Sequence, residues 1–320
     1  MGKTRAELFT ALGIISDGPD LDAITEQAYL LQEEKAHQKD MARPPGGRAF
    51  YASMFPGGED EKRCARYALY SMVGVPSPEP IKPAGRAVIE IGKAVEKQIV
   101  WRWGKMGLLL GGIKVPEKEH GYMEQLGFSD PDTWLSGYAD AVLDIRPRWS
   151  SVLPVDIKSK SHEKVRSMRD GELSFDPDHY KQVQAYLYLC RKYHSYLKWD
   201  EMGLEPAAGG IIYYVSRDNP RFTKQFYVPY DKPFINAGIK RLHEWKQNFL
   251  NDELPERPKE WRWTQPPCQW CNLKKMCKLD IKQDVDRLSE SNTVKLAKKM
   301  VPQYDIEKVR EEVMRRWHST

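Results

Sequence analysis

Three consecutive residues, Asp156-Ile157-Lys158, lie in an apolar run from Val152 to Ser159 that is rich in β-formers. In a strand, residues two apart share a face. Asp156 and Lys158 would therefore stand side by side, with Ile157 turned into the core. Asp140 ends Gly137-Tyr138-Ala139-Asp140 on the preceding expected strand. If the two strands pair, two carboxylates and one ammonium converge. Hard carboxylate oxygens hold Mg²⁺ or Mn²⁺. Such an ion polarises a phosphate and acidifies a bound water, and a nearby lysine offsets the charge that develops. Asp-x-Lys alone is common by chance, so its weight comes from its apolar setting and its neighbours.

A second set is Cys268-Gln-Trp-Cys271-Asn-Leu-Lys-Lys-Met-Cys277. Three soft thiolates at this spacing suit zinc or an iron–sulphur cluster. Cys64 is the candidate fourth ligand. Cys190 falls on the apolar side of an expected helix and reads as core. The chain has 5 cysteines, and an odd count argues against a disulfide framework. The seven histidines show no metal-ligand spacing; His162 and His179 lie near the acidic motifs and read as surface or supporting residues.

Elements must position these groups. Val88, Ile91, Val95, Ile99, Trp103 and Met106 recur at helical steps and predict a helix over 85–107, with Gly92 beside the stripe for close packing. Strands are expected over 136–145 and 152–159. A helix follows over 178–195, then strands over 210–215 and 225–228 around Asp218-Asn219-Pro220. A helix with Ile239, Leu242, Trp245 and Phe249 on one side is expected over 233–252. This order predicts an α/β fold in three layers, a central mixed sheet flanked by helices. Residues 1–60 read as peripheral, with a helix from Leu21 to Lys35. After Leu254 prolines, tryptophans and cysteines crowd an irregular segment, and one or two helices close the chain. The expected division is 1–84, an N-terminal helical part with the first cluster cysteine; 85–254, the core; and 255–320, a cluster-anchored segment with terminal helices.

With 320 residues, 41% of them hydrophobic, the chain can bury a real core. No apolar run is long enough to span a bilayer, and no secretory leader is visible, so a soluble, cytoplasmic protein is expected. The net charge of +5 permits a nucleic-acid partner without demanding one. Arg63, Arg66, Arg146, Arg148, Lys160, Lys164 and Arg166 are candidate phosphate contacts, each also readable as solvated surface. Trp261, Trp263 and Trp270 can stack bases or pack around the cysteines. No P-loop is present, hence no helicase motor.

Taken together, Gly92-x-x-x-Glu96, Gly137-x-x-Asp140, Asp156-Ile157-Lys158 and Gln182-x-x-x-Tyr186 run in one order along the chain. The set resembles the RecB-like branch of the PD-(D/E)XK nucleases. The resemblance implies that Glu96, Asp140, Asp156 and the Ile157 carbonyl ligate Mg²⁺ or Mn²⁺ and that Lys158 is the catalytic lysine. Gln182 and Tyr186 would be the motif this family carries on the next helix. Many relatives have histidine where Glu96 stands. Glu90, Lys160 and the pair Gln184 and Tyr188 are rivals by spacing. One cysteine before the acidic motifs and three after them is similar to the iron–sulphur nucleases, among them the CRISPR-associated RecB-like exonuclease family and phage relatives. It implies a 4Fe-4S cluster on Cys64, Cys268, Cys271 and Cys277; zinc on the same cysteines stays open. The implied activity is exonucleolytic cleavage of DNA, single-stranded or with free ends, in phage or CRISPR-linked replication, recombination or repair. A helicase or recombination protein is the implied partner, and a bacterial host cytoplasm the location if the chain is phage-encoded. The alternative is a DNA-binding module that keeps this fold without its chemistry.

Overall fold

A computed structural model describes residues 49–57, 63–75, 83–110, 125–258, 260–265, 268–301 and 303–318. Its centre is a four-stranded sheet in the order β4-β5-β6-β7. These strands are β4 (Ala141–Leu143), β5 (Leu153–Lys160), β6 (Gly209–Ser216) and β7 (Thr223–Pro229). β5 and β6 are parallel and the other two pairings antiparallel, so the sheet is mixed. A second sheet joins β1 (Phe50–Tyr51), β3 (Leu135–Ala139) and β2 (Leu126–Asp130) in the order β1-β3-β2.

Both faces of β5 are covered, as its near-continuous burial requires. On one side lies α2 (Pro83–Lys105), whose Val95 and Ile99 pack with Val155, Ile157 and Val215. On the other lies α4 (Pro177–Lys192), whose Val183 and Leu187 belong to the larger core with Ile212 and Tyr214. α4 starts cleanly because Asp176 caps it, its carboxylate accepting from the Asp178 N–H at 3.0 Å, with Pro177 in the first turn. α5 (Lys232–Leu250) starts the same way at Asp231. Two shorter helices are α1 (Ala65–Met72) and α3 (His162–Arg169).

The expected layers stand, with four differences. The strand expected over 136–145 breaks at Asp140 into β3 and β4, which belong to different sheets. Residues 49–57, read as peripheral, carry β1, which pairs with β3 through Phe50↔Leu135; Phe50 and Phe55 are fully buried. Two residues are too short a strand to show alternation. The apolar stripe of α2 is buried only at Val95 and Ile99. Val88 and Ile91 are exposed because the sheet packs on the C-terminal half of this long helix, with Trp103 half-buried there, and Met106, just past its end, is exposed too. After Leu254, Cys268–Trp270 form a short 3-10 turn and Cys277 lies in a helix, α6 (Lys274–Lys282). The helix expected from Leu21 to Lys35 lies outside the described residues.

Two terminal helices follow, α7 (Asn292–Met300) and α8 (Ile306–His318). They close on α1 through polar contacts across a long sequence separation. Arg66 Nε donates to the Pro255 carbonyl at 2.6 Å, and Tyr70 Oη donates to Asp280 Oδ2 at 2.8 Å. Asp280 Oδ1 accepts from the Asn292 side-chain amide at 2.9 Å. Tyr304 Oη donates to the Val73 carbonyl at 3.0 Å. Trp317 stacks on the fully buried Trp134 at 6.2 Å. Arg66 is thus a buried structural residue rather than a phosphate contact. No helix among the described residues is long and apolar enough to cross a membrane.

Candidate active site

β5 presents Asp156 and Lys158 on one face and turns Ile157 to the α2 side, where it is buried. Asp156 is fully buried. Its Oδ1 accepts from Lys158 Nζ at 2.8 Å, while its Oδ2 is buried without a hydrogen-bond partner. Burial pushes the Asp156 carboxyl up and the Lys158 charge pulls against it; it stays above the ordinary range. Burial lowers Lys158, but Asp156, Asp140 and Glu96 together hold it above its ordinary value, so it remains an ammonium.

The strand break puts Asp140 in place. The β4–β5 register pairs Ala141 with Val155, and one step further sets Asp140 opposite Asp156. The Asp140 side chain then takes the backbone's part: Oδ2 accepts from the Ile157 N–H at 2.7 Å. Glu96 comes from α2, which approaches β5 closely because Gly92 has no side chain; a Cβ there would lie 2.9 Å from Ser159 Oγ. Burial, then the charges of Asp156 and Glu96, raise Asp140 well above the carboxylate range. Glu96 is raised by burial, with Asp156 adding and Lys158 opposing. Gln125 bridges the two, its amide donating to Glu96 Oε1 at 2.7 Å and to Asp140 Oδ1 at 3.2 Å. Sequence reasoning missed Gln125. It precedes β2 outside any periodic pattern, and no signal marks it.

α4 completes the group. Gln182 Oε1 accepts from Lys158 Nζ at 3.2 Å, and its amide donates to Tyr186 Oη at 2.6 Å. Gly137 lets the Tyr186 ring lie against β3; a Cβ there would be 3.1 Å from the ring. The rivals sit elsewhere. Gln184 is fully buried and bonds the Pro229 carbonyl and the Asp231 N–H. Tyr188 donates to Asp130 Oδ2 at 2.7 Å. Lys160 lies one strand repeat beyond Lys158.

The cysteines gather at the start of α1 and around α6. Burial pushes the Cys64 thiol up to about 12, with negative charge at Cys277, Cys271 and Cys268 adding to the rise. Burial also raises Cys271 and Cys277, the latter opposed by Arg66. Cys190 is fully buried away from them. Beside Cys64, Arg63 pairs with Asp178 in the first turn of α4 at 3.1 Å.

The donor chemistry fits a hard cation at the carboxylates: one Asp156 oxygen is buried and unpaired, and the Asp156 charge raises both Asp140 and Glu96. As they stand, however, no three His, Cys, Asp or Glu side chains among the described residues close on a single ion. At the carboxylates, Gln125 holds the place between Glu96 and Asp140.

The mixed sheet lies between helices, with Asp156 and Lys158 on its inner strand β5 and Glu96 and Asp140 brought up to them. The family model of the PD-(D/E)XK nuclease superfamily matches residues 28–278, and the chain belongs to that superfamily. Comparison with curated proteins gave no match. Among solved structures, the alkaline exonuclease LHK-Exo of Laribacter hongkongensis is 13% identical, with a TM-score of 0.31 over 52% of this chain and 68% of that one. The same exonuclease in complex with dAMP is 10% identical, with a TM-score of 0.31 over 64% and 87%. The protein SSO0001 is 17% identical, with a TM-score of 0.36 over 79% and 97%.

Proposed function

We propose that this nuclease is a Mg²⁺- or Mn²⁺-dependent deoxyribonuclease that degrades DNA from an end, preferring single strands, in phage or CRISPR-linked replication, recombination or repair. The observation that carries the chemistry is Asp156: one oxygen is clamped by Lys158 and the other is buried without a partner. Glu96, Asp140, Asp156 and the Ile157 carbonyl are the proposed ligands. A divalent ion held there supplies Lewis acidity toward the phosphate and a more acidic water. Lys158 remains charged and lies beside Asp156, where it offsets charge on the phosphate as cleavage proceeds. Gln182 orients Lys158, and Tyr186 orients Gln182. The four gathered cysteines support a proposed 4Fe-4S cluster that ties 255–320 to the N-terminal part, leaving 85–254 as the catalytic core. A helicase or recombination protein is the proposed partner.

The test is degradation of end-labelled single- and double-stranded DNA with Mg²⁺ or Mn²⁺, wild type against Asp156→Ala. Loss of cleavage by about 10³-fold or more in the variant is expected, and the product ladder reads the polarity. No cleavage by either protein, with DNA still bound, would replace this reading by a DNA-binding module that has kept the fold.

A further inference from the structure

His179 lies one turn before Gln182 on α4, on the helix face that reaches Lys158. Its Nδ1 is 2.7 Å from Tyr214 Oη. Tyr214 is fully buried, and it is the β6 residue paired with Lys158 in the sheet register. The Tyr214 oxygen accepts from the Asp176 N–H at 3.0 Å. Its own proton has one acceptor among the described residues, His179 Nδ1. Leaving a buried hydroxyl proton unpaired costs about 1–3 kcal/mol, so the phenol donates to the ring. That fixes the tautomer: Nδ1 accepts, and Nε2 carries the hydrogen.

Burial, then the positive charge of Lys158, lowers His179 to about 4, with Lys160 adding and Asp176 and Asp178 opposing. The ring is therefore neutral at physiological pH. His179 is only half-buried, and Nε2 has no hydrogen-bond partner among the described residues. Lys158 commits two of its three donors to Asp156 and Gln182, which leaves one for a strand. A neutral donor beside it can accept an anionic oxygen without disturbing the charge balance at the carboxylates.

We propose that His179 Nε2–H binds a non-bridging oxygen of the DNA phosphate next to the one that is cut, fixing the strand along α4. The place of the strand rests on the nuclease reading of Asp156 and Lys158; the binding test does not need cleavage. The probe is a fluorescently labelled single-stranded oligonucleotide, measured by anisotropy with Ca²⁺ in place of Mg²⁺. A parallel set carries one neutral methylphosphonate at each position in turn. His179→Ala is expected to bind about 10-fold more weakly, the loss of one hydrogen bond to a charged group. In Mg²⁺ its KM should rise by a similar factor, with kcat nearly unchanged. One methylphosphonate position should weaken wild-type binding about 10-fold and leave the variant unaffected. His179→Gln, which keeps a donor, should recover part of the affinity. Unchanged binding in His179→Ala overturns the proposal. So does a methylphosphonate penalty equal in both proteins, since the side chain then acts only through the fold. If wild type binds DNA with this pattern but never cleaves it, the proposal stands and the nuclease reading falls.

Discussion

Asp156 Oδ1 is satisfied by Lys158 while Oδ2 is buried and bare, and that asymmetry makes the residue informative. Asp140, Glu96 and Asp156 all titrate above their ordinary range. A carboxyl whose pKa is raised by folding favours the folded state at low pH and weakens it as pH rises through the raised value. Mn²⁺ should therefore raise the melting temperature at pH 8 more than at pH 5. At about a hundredfold excess over Kd the gain is about 2.7 kcal/mol, and Asp156→Asn should abolish it. A metal-independent melting temperature in the wild type would remove the ion from the site. The two Gln-x-x-x-Tyr pairs separate by the same logic. Gln182→Ala should lower kcat about 10-fold with the fold intact. Gln184→Ala should cost about 1–3 kcal/mol of stability, because the Pro229 carbonyl and the Asp231 N–H lose their partner. Denaturant melts and per-molecule kcat of the two variants distinguish these outcomes.

At the scale of elements, α2 and α4 hold the site against β5 from either side, and each depends on small local features. Gly92→Val should drive α2 from Ser159 and carry Glu96 with it, costing about 1–3 kcal/mol and most of the cleavage. The far end of α4 is tied to β2 by the fully buried Asp130. It receives Lys192 Nζ at 2.6 Å, Tyr188 Oη at 2.7 Å and Thr133 Oγ1 at 2.7 Å. Burial raises Asp130, yet these hydrogen bonds, Lys192 foremost, bring it below the ordinary carboxylate value of 3.8. A depressed carboxylate contributes stability above its unfolded pKa and loses it as pH falls through the folded one. Asp130→Asn should therefore be less stable than wild type at pH 7, and the difference should shrink below about pH 4. A pH-independent difference would assign the effect to packing.

These elements show what sequence could convey. The long helices α2, α4 and α5 and the strands β5, β6 and β7 were legible because their apolar spacing is regular, as in α4 with Val183, Leu187 and Cys190, whereas the short β2 and α3 were not read. Asp156 and Lys158 were legible as neighbours by strand spacing, whereas Gln182 and Tyr186 came only from the family resemblance, since Gln184 and Tyr188 repeat their spacing. The break at Asp140 was not, since Ala139, Ala141 and Val142 read as one strand while tertiary pairing sends its halves to different sheets. Gln125 and the His179–Tyr214 pair were hidden because their partners are set by contacts between elements, which no local pattern encodes.

For the whole molecule, the described parts of all three sequence segments share one core, from Ala49 and Phe50 through Leu187 to Val313 and Trp317. The α1–α6 contacts that hold that closure include Tyr70 to Asp280 and Arg66 to Cys277. Asp280→Ala should destabilise the protein by about 1–3 kcal/mol, because Tyr70 and Asn292 lose a buried acceptor. If the proposed 4Fe-4S cluster is held by these cysteines, wild type should purify brown with iron, and Cys271→Ser should lack both while its melting transition stays cooperative. Iron retained in that variant would end the assignment of Cys271 as a ligand.

The stacking of Trp317 on Trp134 also sets a timetable. Ribosomes add about 5–20 residues per second, so Lys158 leaves the peptidyl-transferase centre on the order of ten to thirty seconds before Trp317 does. Through that interval the strand with the acidic residues exists, but Trp134, Val73 and Tyr70 still await partners from the C-terminal helices. The residues of the proposed site are thus made well before the partners that close the core at Trp134, Val73 and Tyr70.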